Sequence, residues 1–149
     1  MTLTFRNVDA AVSDPVESWP QEALQAAMER GDITHWRRMV AAVRRAPWGP
    51  VARSIEEILT YSQPYGVAGL MERAIEAART EAVRSEGAEV SARVRAAKEA
   101  SGLTVAGFAE RCGTSRSRMS TYMSGKVVPS AAMLVRMERV SQTLAVDAT

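Results

Sequence analysis

The chain has one cysteine, Cys112, and one histidine, His35, among its 149 residues. A lone thiol excludes an internal disulfide, and neither residue has the companions that a zinc site needs. No apolar run approaches the roughly 20 residues that span a bilayer, so no membrane partner is expected. Arg6, Asp9, Asp14 and Glu17 interrupt the apolar stretches near the start, so no secretory leader is expected and the chain reads as cytoplasmic. Gly-rich phosphate loops, catalytic triads and metal-ligand clusters are missing, so neither an enzyme nor a bound cofactor or metal is expected. Repeats, low-complexity tracts and sustained strand alternation are absent too, leaving an all-α fold class.

What is present is an apolar fraction of 46%, normal for a folded chain, in a length that suits one ordinary domain or two small ones. The net charge of only +2 conceals an asymmetry. Residues 90–140 hold nine basic side chains (Arg93, Arg95, Lys98, Arg111, Arg116, Arg118, Lys126, Arg136, Arg139) against three acidic ones (Glu99, Glu110, Glu138). The remainder is therefore net acidic, and only the later module suits a polyanion. Aromatics divide the other way: Phe5, Trp19, Trp36, Trp48, Tyr61 and Tyr65 come early, with only Phe108 and Tyr122 later. Both asymmetries point to two domains, here placed at 19–86 and 87–149 behind an extended or mobile arm at 1–18.

The elements follow from helical spacing. Pro20 suits a first turn, Ala23, Leu24, Ala27 and Met28 recur on one face, and Gly31 ends the helix. Asp32 caps the next, whose stripe is Ile33, Trp36, Met39, Val40 and Val43. Pro47-Trp48-Gly49-Pro50 breaks it, because each proline lacks a donor and fixes φ. Val51, Ile55, Ile58 and Leu59 face inward on a third helix, and Gln63-Pro64-Tyr65-Gly66 makes the next turn. From Val67 the pattern runs on past Gly87, a weak point inside a helix, and residues 67–101 fit either one helix or two. Glu56-Glu57 and Glu72/Glu76 sit at helix-surface spacings beside arginines and read as solvated ion pairs rather than catalytic carboxylates. His35, with no second ligand, reads as a surface or satisfied histidine.

Beyond residue 89 the spacing becomes more specific. Val90, Val94 and Ala97 mark one helix, closed by Ser101-Gly102. Thr104 caps a short helix containing Val105, Phe108, Ala109 and Cys112, and Gly113 supplies a left-handed corner. Thr114 or Ser115 caps a second short helix, Arg116 to Met123, ending at Ser124-Gly125, and Pro129-Ser130 opens another with Met133, Leu134 and Met137 on one face. Leu103-Thr104, Phe108-Ala109-Glu110, Gly113-Thr114-Ser115, Met119-Ser120-Thr121-Tyr122, Ser124-Gly125-Lys126 and Pro129-Ser130 together resemble the Cro/C1-type helix-turn-helix family, the XRE family.

That resemblance implies a double-stranded DNA operator as partner, with the second short helix in the major groove. It assigns Arg116, Ser117 and Thr121 to bases, with Ser115 and Ser120 beside them. It assigns Thr104, Arg118, Ser124 and Lys126 to phosphates. Met119 and Cys112 then fall at core positions, and Tyr122 at a packing position within reach of a phosphate. The sequence departs from many members of the family at Val105, where glutamine usually braces a phosphate and the recognition helix.

The first domain has three readings. Its Trp19, Trp36, Trp48, Tyr61 and Tyr65 form either a small core or a partner-binding patch. An accessory domain ahead of the motif is similar to antitoxin regulators, which implies that it binds a cognate toxin while the second domain represses their operon. Alternatively it dimerises a stand-alone repressor, since paired half-sites need a two-fold protein, or it belongs to an interaction protein whose second domain tethers a complex to DNA.

Overall fold

The structure, a computed structural model, describes residues 2–147. Among the described residues there are seven α-helices and one turn of 3-10 helix, Val16–Ser18, with no strand. The helices are α1 Gln21–Arg30, α2 Ile33–Arg45, α3 Pro50–Leu59, α4 Val67–Ser101, α5 Val105–Cys112, α6 Arg116–Ser124 and α7 Ala131–Asp147. The chain divides into two compact units, Met1–Ala82 and Val83–Thr149.

In the first unit the apolar stripes meet as their spacing requires, except that Ile33, at the first position of α2, is exposed. Ala23, Leu24, Ala27 and Met28 of α1 pack with Met39, Ala42 and Val43 of α2 and with Val51, Ala52, Ile55, Ile58 and Leu59 of α3. Val67, Met71 and Ile75 from the start of α4 complete this core. The corner between α1 and α2 is fully hydrogen-bonded. Asp32 Oδ1 accepts from the Thr34 N–H at 2.9 Å, and His35 Nδ1 accepts from the Asp32 N–H at 3.0 Å. This is a capping box in which an imidazole takes the place of the usual glutamate or glutamine, so His35 is a satisfied structural residue. Trp36 Nε1 donates to the Ala27 carbonyl at 2.9 Å, fixing α2 against the end of α1. Of the paired carboxylates, Glu56 takes a two-pronged contact from Arg79, whose Nε also donates to the Pro47 carbonyl at 2.9 Å. Those hydrogen bonds hold the Glu56 carboxyl below the usual carboxylate range.

The stretch expected as an arm lies in contact with this core. Leu3 and Val16 are buried, Phe5 meets Trp19 edge-on at 5.0 Å, and Trp19 Nε1 donates to the Asp14 carbonyl at 3.1 Å. Arg38 supplies the anchor: it donates to the Val12 and Asp14 carbonyls at 2.7 and 2.8 Å while its guanidinium lies 4.9 Å from the Trp19 ring centroid. A segment without period is thus held by buried apolar side chains and by an arginine that satisfies two of its carbonyls and stacks on Trp19.

The question left open over residues 67–101 is answered by one uninterrupted helix of 35 residues that passes through Gly87. No neighbour lies within 4 Å of a Cβ built on that glycine. Its cost is therefore the intrinsic helical penalty of about 1 kcal/mol against alanine, which apolar anchoring before and after it outweighs.

In the second unit Val94 and Ala97 of α4, Phe108, Ala109 and Cys112 of α5, Met119 and Tyr122 of α6, and Leu134 and Met137 of α7 form one core. Burial pushes the Cys112 thiol up, with Arg136 opposing it only in part, which keeps it protonated. The α5–α6 corner is closed by Gly113 at φ 74°, ψ 33°. The Gly113 N–H donates to Glu110 O and the Thr114 N–H to Ala109 O, the pair of bonds of a Schellman motif.

Two outcomes are expected. Arg38→Met keeps the aliphatic stem but releases the arm, so amide exchange across residues 11–16 rises while that of α3 is unchanged. Gly113→Ala, where a Cβ would meet only Arg136 at 3.8 Å, destabilises through backbone strain alone, by about 1–2 kcal/mol in denaturant titration.

Candidate nucleic-acid interface

Helices α5 and α6 have only eight and nine residues, lengths that do not persist in water without tertiary support. Their N-termini are closed by side chains. Thr104 Oγ1 accepts from the Gly107 N–H at 3.1 Å, and Ser115 Oγ accepts from the Arg118 N–H at 3.1 Å. Of the two capping candidates before α6, Ser115 is therefore the cap, whereas the Thr114 hydroxyl is buried without a partner. As acceptors in their caps, the Thr104 and Ser115 hydroxyls keep an O–H free to donate.

Their C-termini are closed by guanidinium groups from the flanking helices. Arg136 of α7 donates to the Cys112 carbonyl at 3.2 Å, at the end of α5. Arg95 of α4 donates to the Met123 carbonyl at 2.7 Å, at the end of α6, and to Ser91 Oγ at 3.3 Å. A cation at this end satisfies an orphan carbonyl and opposes the helix dipole. Gly125, at φ 81°, then turns the chain, with Ser91 Oγ 3.7 Å from where its Cβ would lie. Arg93 is paired with Glu138 at 2.6 Å. Three of the nine basic residues counted toward a polyanion are thus committed to the protein itself.

The cations on and just after α6 are not committed in this way. No acidic residue lies between Glu110 and Glu138. Arg116, Arg118 and Lys126 are exposed, and among the described residues no hydrogen bond or ion pair is made by their charged heads. Ser115, Ser117, Ser120 and Ser124 are exposed beside them, Thr121 is half-buried, and Met119 and Tyr122 face the core.

The structure does not treat the predicted contacts alike. Ser115, Ser117, Arg118 and Thr121 share one shallow concavity with Tyr122 and Val127; Arg116 and Ser120 lie outside its lining. Thr121 Oγ1 donates to the Arg118 carbonyl at 2.6 Å, so its hydroxyl retains only acceptor capacity. Ser124 Oγ donates to the Thr121 carbonyl at 3.2 Å and accepts from the Lys126 N–H at 3.4 Å, which makes it part of the turn. Arg95 and Arg136 as helix clamps, and Val127 as a wall of the concavity, escape a sequence reading. Only Val127 left a signal there: Val127-Val128 is an apolar pair in a turn that should be polar.

The five aromatics proposed for a partner do not form one patch. Trp19 is 5% exposed and belongs to the core, and Trp36 is partly buried with its indole N–H bonded. Trp48, Tyr61 and Tyr65 are exposed, at 47%, 57% and 104%.

Arg95→Met should fray the last turn of α6. The expected readout is faster amide exchange at Met123 and Ser124 and a loss of about 1 kcal/mol, discounted for solvent exposure. Arg95→Lys, which keeps a donor, should recover part of both.

The comparisons agree with this geometry. A family described as a helix-turn-helix domain matches residues 89–148. No curated protein and no solved structure matches the chain. No described helix is long and apolar enough to cross a membrane. Capped short helices, a left-handed glycine corner and the family match coincide over the same residues, and this C-terminal part of the chain is a helix-turn-helix domain, the module by which regulators bind DNA.

Proposed function

We propose that the protein is a sequence-specific transcriptional repressor of the Cro/C1 (XRE) type, which inserts α6 into the major groove of an operator. The observation that carries this reading is the set of exposed, uncommitted cations, Arg116, Arg118 and Lys126, in a stretch, residues 111–137, without acidic residues. Elsewhere in the same unit Arg93, Arg95 and Arg136 have protein acceptors. Arg116, in the first turn of α6, suits guanine O6 and N7, while Ser115, Ser117, Ser120 and Thr121 complete the base-reading face. Thr104, Arg118, Ser124 and Lys126 serve the phosphates, Ser124 through the turn it holds. Val105 replaces a polar brace, so affinity rests on these cations and is steeply salt-dependent.

The N-terminal unit supplies a protein contact in this reading, through Trp48, Tyr61 and Tyr65, residue types enriched in binding hot spots. Two partners suit such a surface. A second copy makes the chain a stand-alone dimeric repressor on paired half-sites. A cognate toxin makes it an autoregulating antitoxin. Sedimentation of the purified chain, and co-purification with the product of any adjoining reading frame, separate the two.

The DNA claim is tested by gel-shift titration on the gene's upstream region. Arg116→Ala should cost about 1–3 kcal/mol and relax specificity at one base pair. Lys126→Ala should weaken binding to all sequences alike and lower the salt slope by about 1. Parent-like binding by both variants overturns the contact assignment.

A further inference from the structure

We infer that Val127 reads a thymine methyl, so that the operator carries a required A·T pair beside the contacts of α6. The inference rests on the DNA-binding reading above and deepens it.

Val127 follows the turn that ends α6, is 48% exposed and does not belong to the core of its unit. The chain folds back so that its side chain lines the concavity formed with Ser115, Ser117, Arg118, Thr121 and Tyr122. An apolar residue thus shares the concavity with hydroxyls and a guanidinium.

The chemistry of that niche narrows its occupant. Ser115, Ser117 and Arg118 bring the donors of that concavity, which suit phosphate or base edges; Val127 adds none. Its side chain is hydrocarbon, and its N–H is already committed to the Thr121 carbonyl at 3.2 Å. Thr121 has likewise turned its hydroxyl donor to the Arg118 carbonyl at 2.6 Å, leaving a methyl and an acceptor lone pair. Neither Val127 nor the Thr121 hydroxyl therefore has a free donor to offer there. On the major-groove edges of the four base pairs, the one apolar group is the C5-methyl of thymine. A methyl against Val127 and the Thr121 methyl removes apolar surface from both partners without leaving a polar group unpaired.

The test uses the full chain and deletes the methyl from the DNA. Binding sites are first selected from a randomised duplex library, and each thymine of the selected consensus is then replaced singly by deoxyuridine, which lacks only the C5-methyl. At one thymine per half-site the replacement should weaken the parent about four-fold, the equivalent of one buried methyl at about 0.8 kcal/mol. Val127→Ala should lose affinity for the thymine site and no longer distinguish thymine from deoxyuridine there. Val128→Ala, equally conservative and also exposed but outside the concavity, should still distinguish them. If a consensus is selected but no thymine couples to Val127, the inference fails and the DNA reading stands. If no consensus emerges and binding to every duplex shows the same salt dependence, the DNA reading fails and takes the inference with it.

Discussion

The helix-turn-helix corner of α5 and α6 depends on satisfying the backbone groups at four helix ends. An eight- or nine-residue helix leaves nearly all of its terminal N–H and C=O groups without internal partners, and nucleation alone does not support it in water. Here Thr104 and Ser115 take the N-terminal ends, Gly113 and Gly125 bend the chain away from the C-terminal ends, and Arg136 and Arg95 cap the carbonyls left there. The core contributes only two fully engaged side chains from α6, Met119 and Tyr122. The hydrogen bonds at its ends therefore matter more to its orientation than they would in a longer helix.

That arrangement separates the cations of the second unit by role. Some guanidiniums are drawn to main-chain carbonyls or to Glu138, in charge-assisted bonds. Those of α6 and the following turn face solvent without a counter-charge. A duplex would supply that counter-charge, and the release of its condensed ions would supply the driving force. Charge counting over residues 90–140 finds a basic module but not this division, because a count does not distinguish an arginine that holds a helix from one whose head faces solvent.

The same logic orders the N-terminal unit. Arg38 joins two carbonyls of a non-periodic stretch to the face of Trp19, and so converts an expected arm into part of a packed unit. Trp19 is held inward by this contact and Trp36 by its bond to the Ala27 carbonyl, while Trp48, Tyr61 and Tyr65 stay exposed. A core cannot absorb every aromatic of so small a unit, and large aromatics left outside have the rigidity and area that protein contacts use.

The sequence by itself determined the helical class, the first core and the short-helix motif. Their signals are local: apolar residues three and four apart, Asp32, Thr104 and one of Thr114 and Ser115 at helix starts, prolines at Pro47 and Pro50, and a left-handed glycine, Gly113, at the corner between the two short helices. The continuity of α4 through Gly87 was not legible, because an isolated glycine costs about 1 kcal/mol and only contacts made far away along the helix decide whether that is tolerated. The tertiary structure alone decided that Arg95 and Arg136 close the motif helices, that Arg38 helps to hold the first residues, and that Val127 stands beside Thr121. Each of these joins residues more distant than a helical turn, and side-chain hydrogen bonds of that range leave no period in the chain for a reader to find.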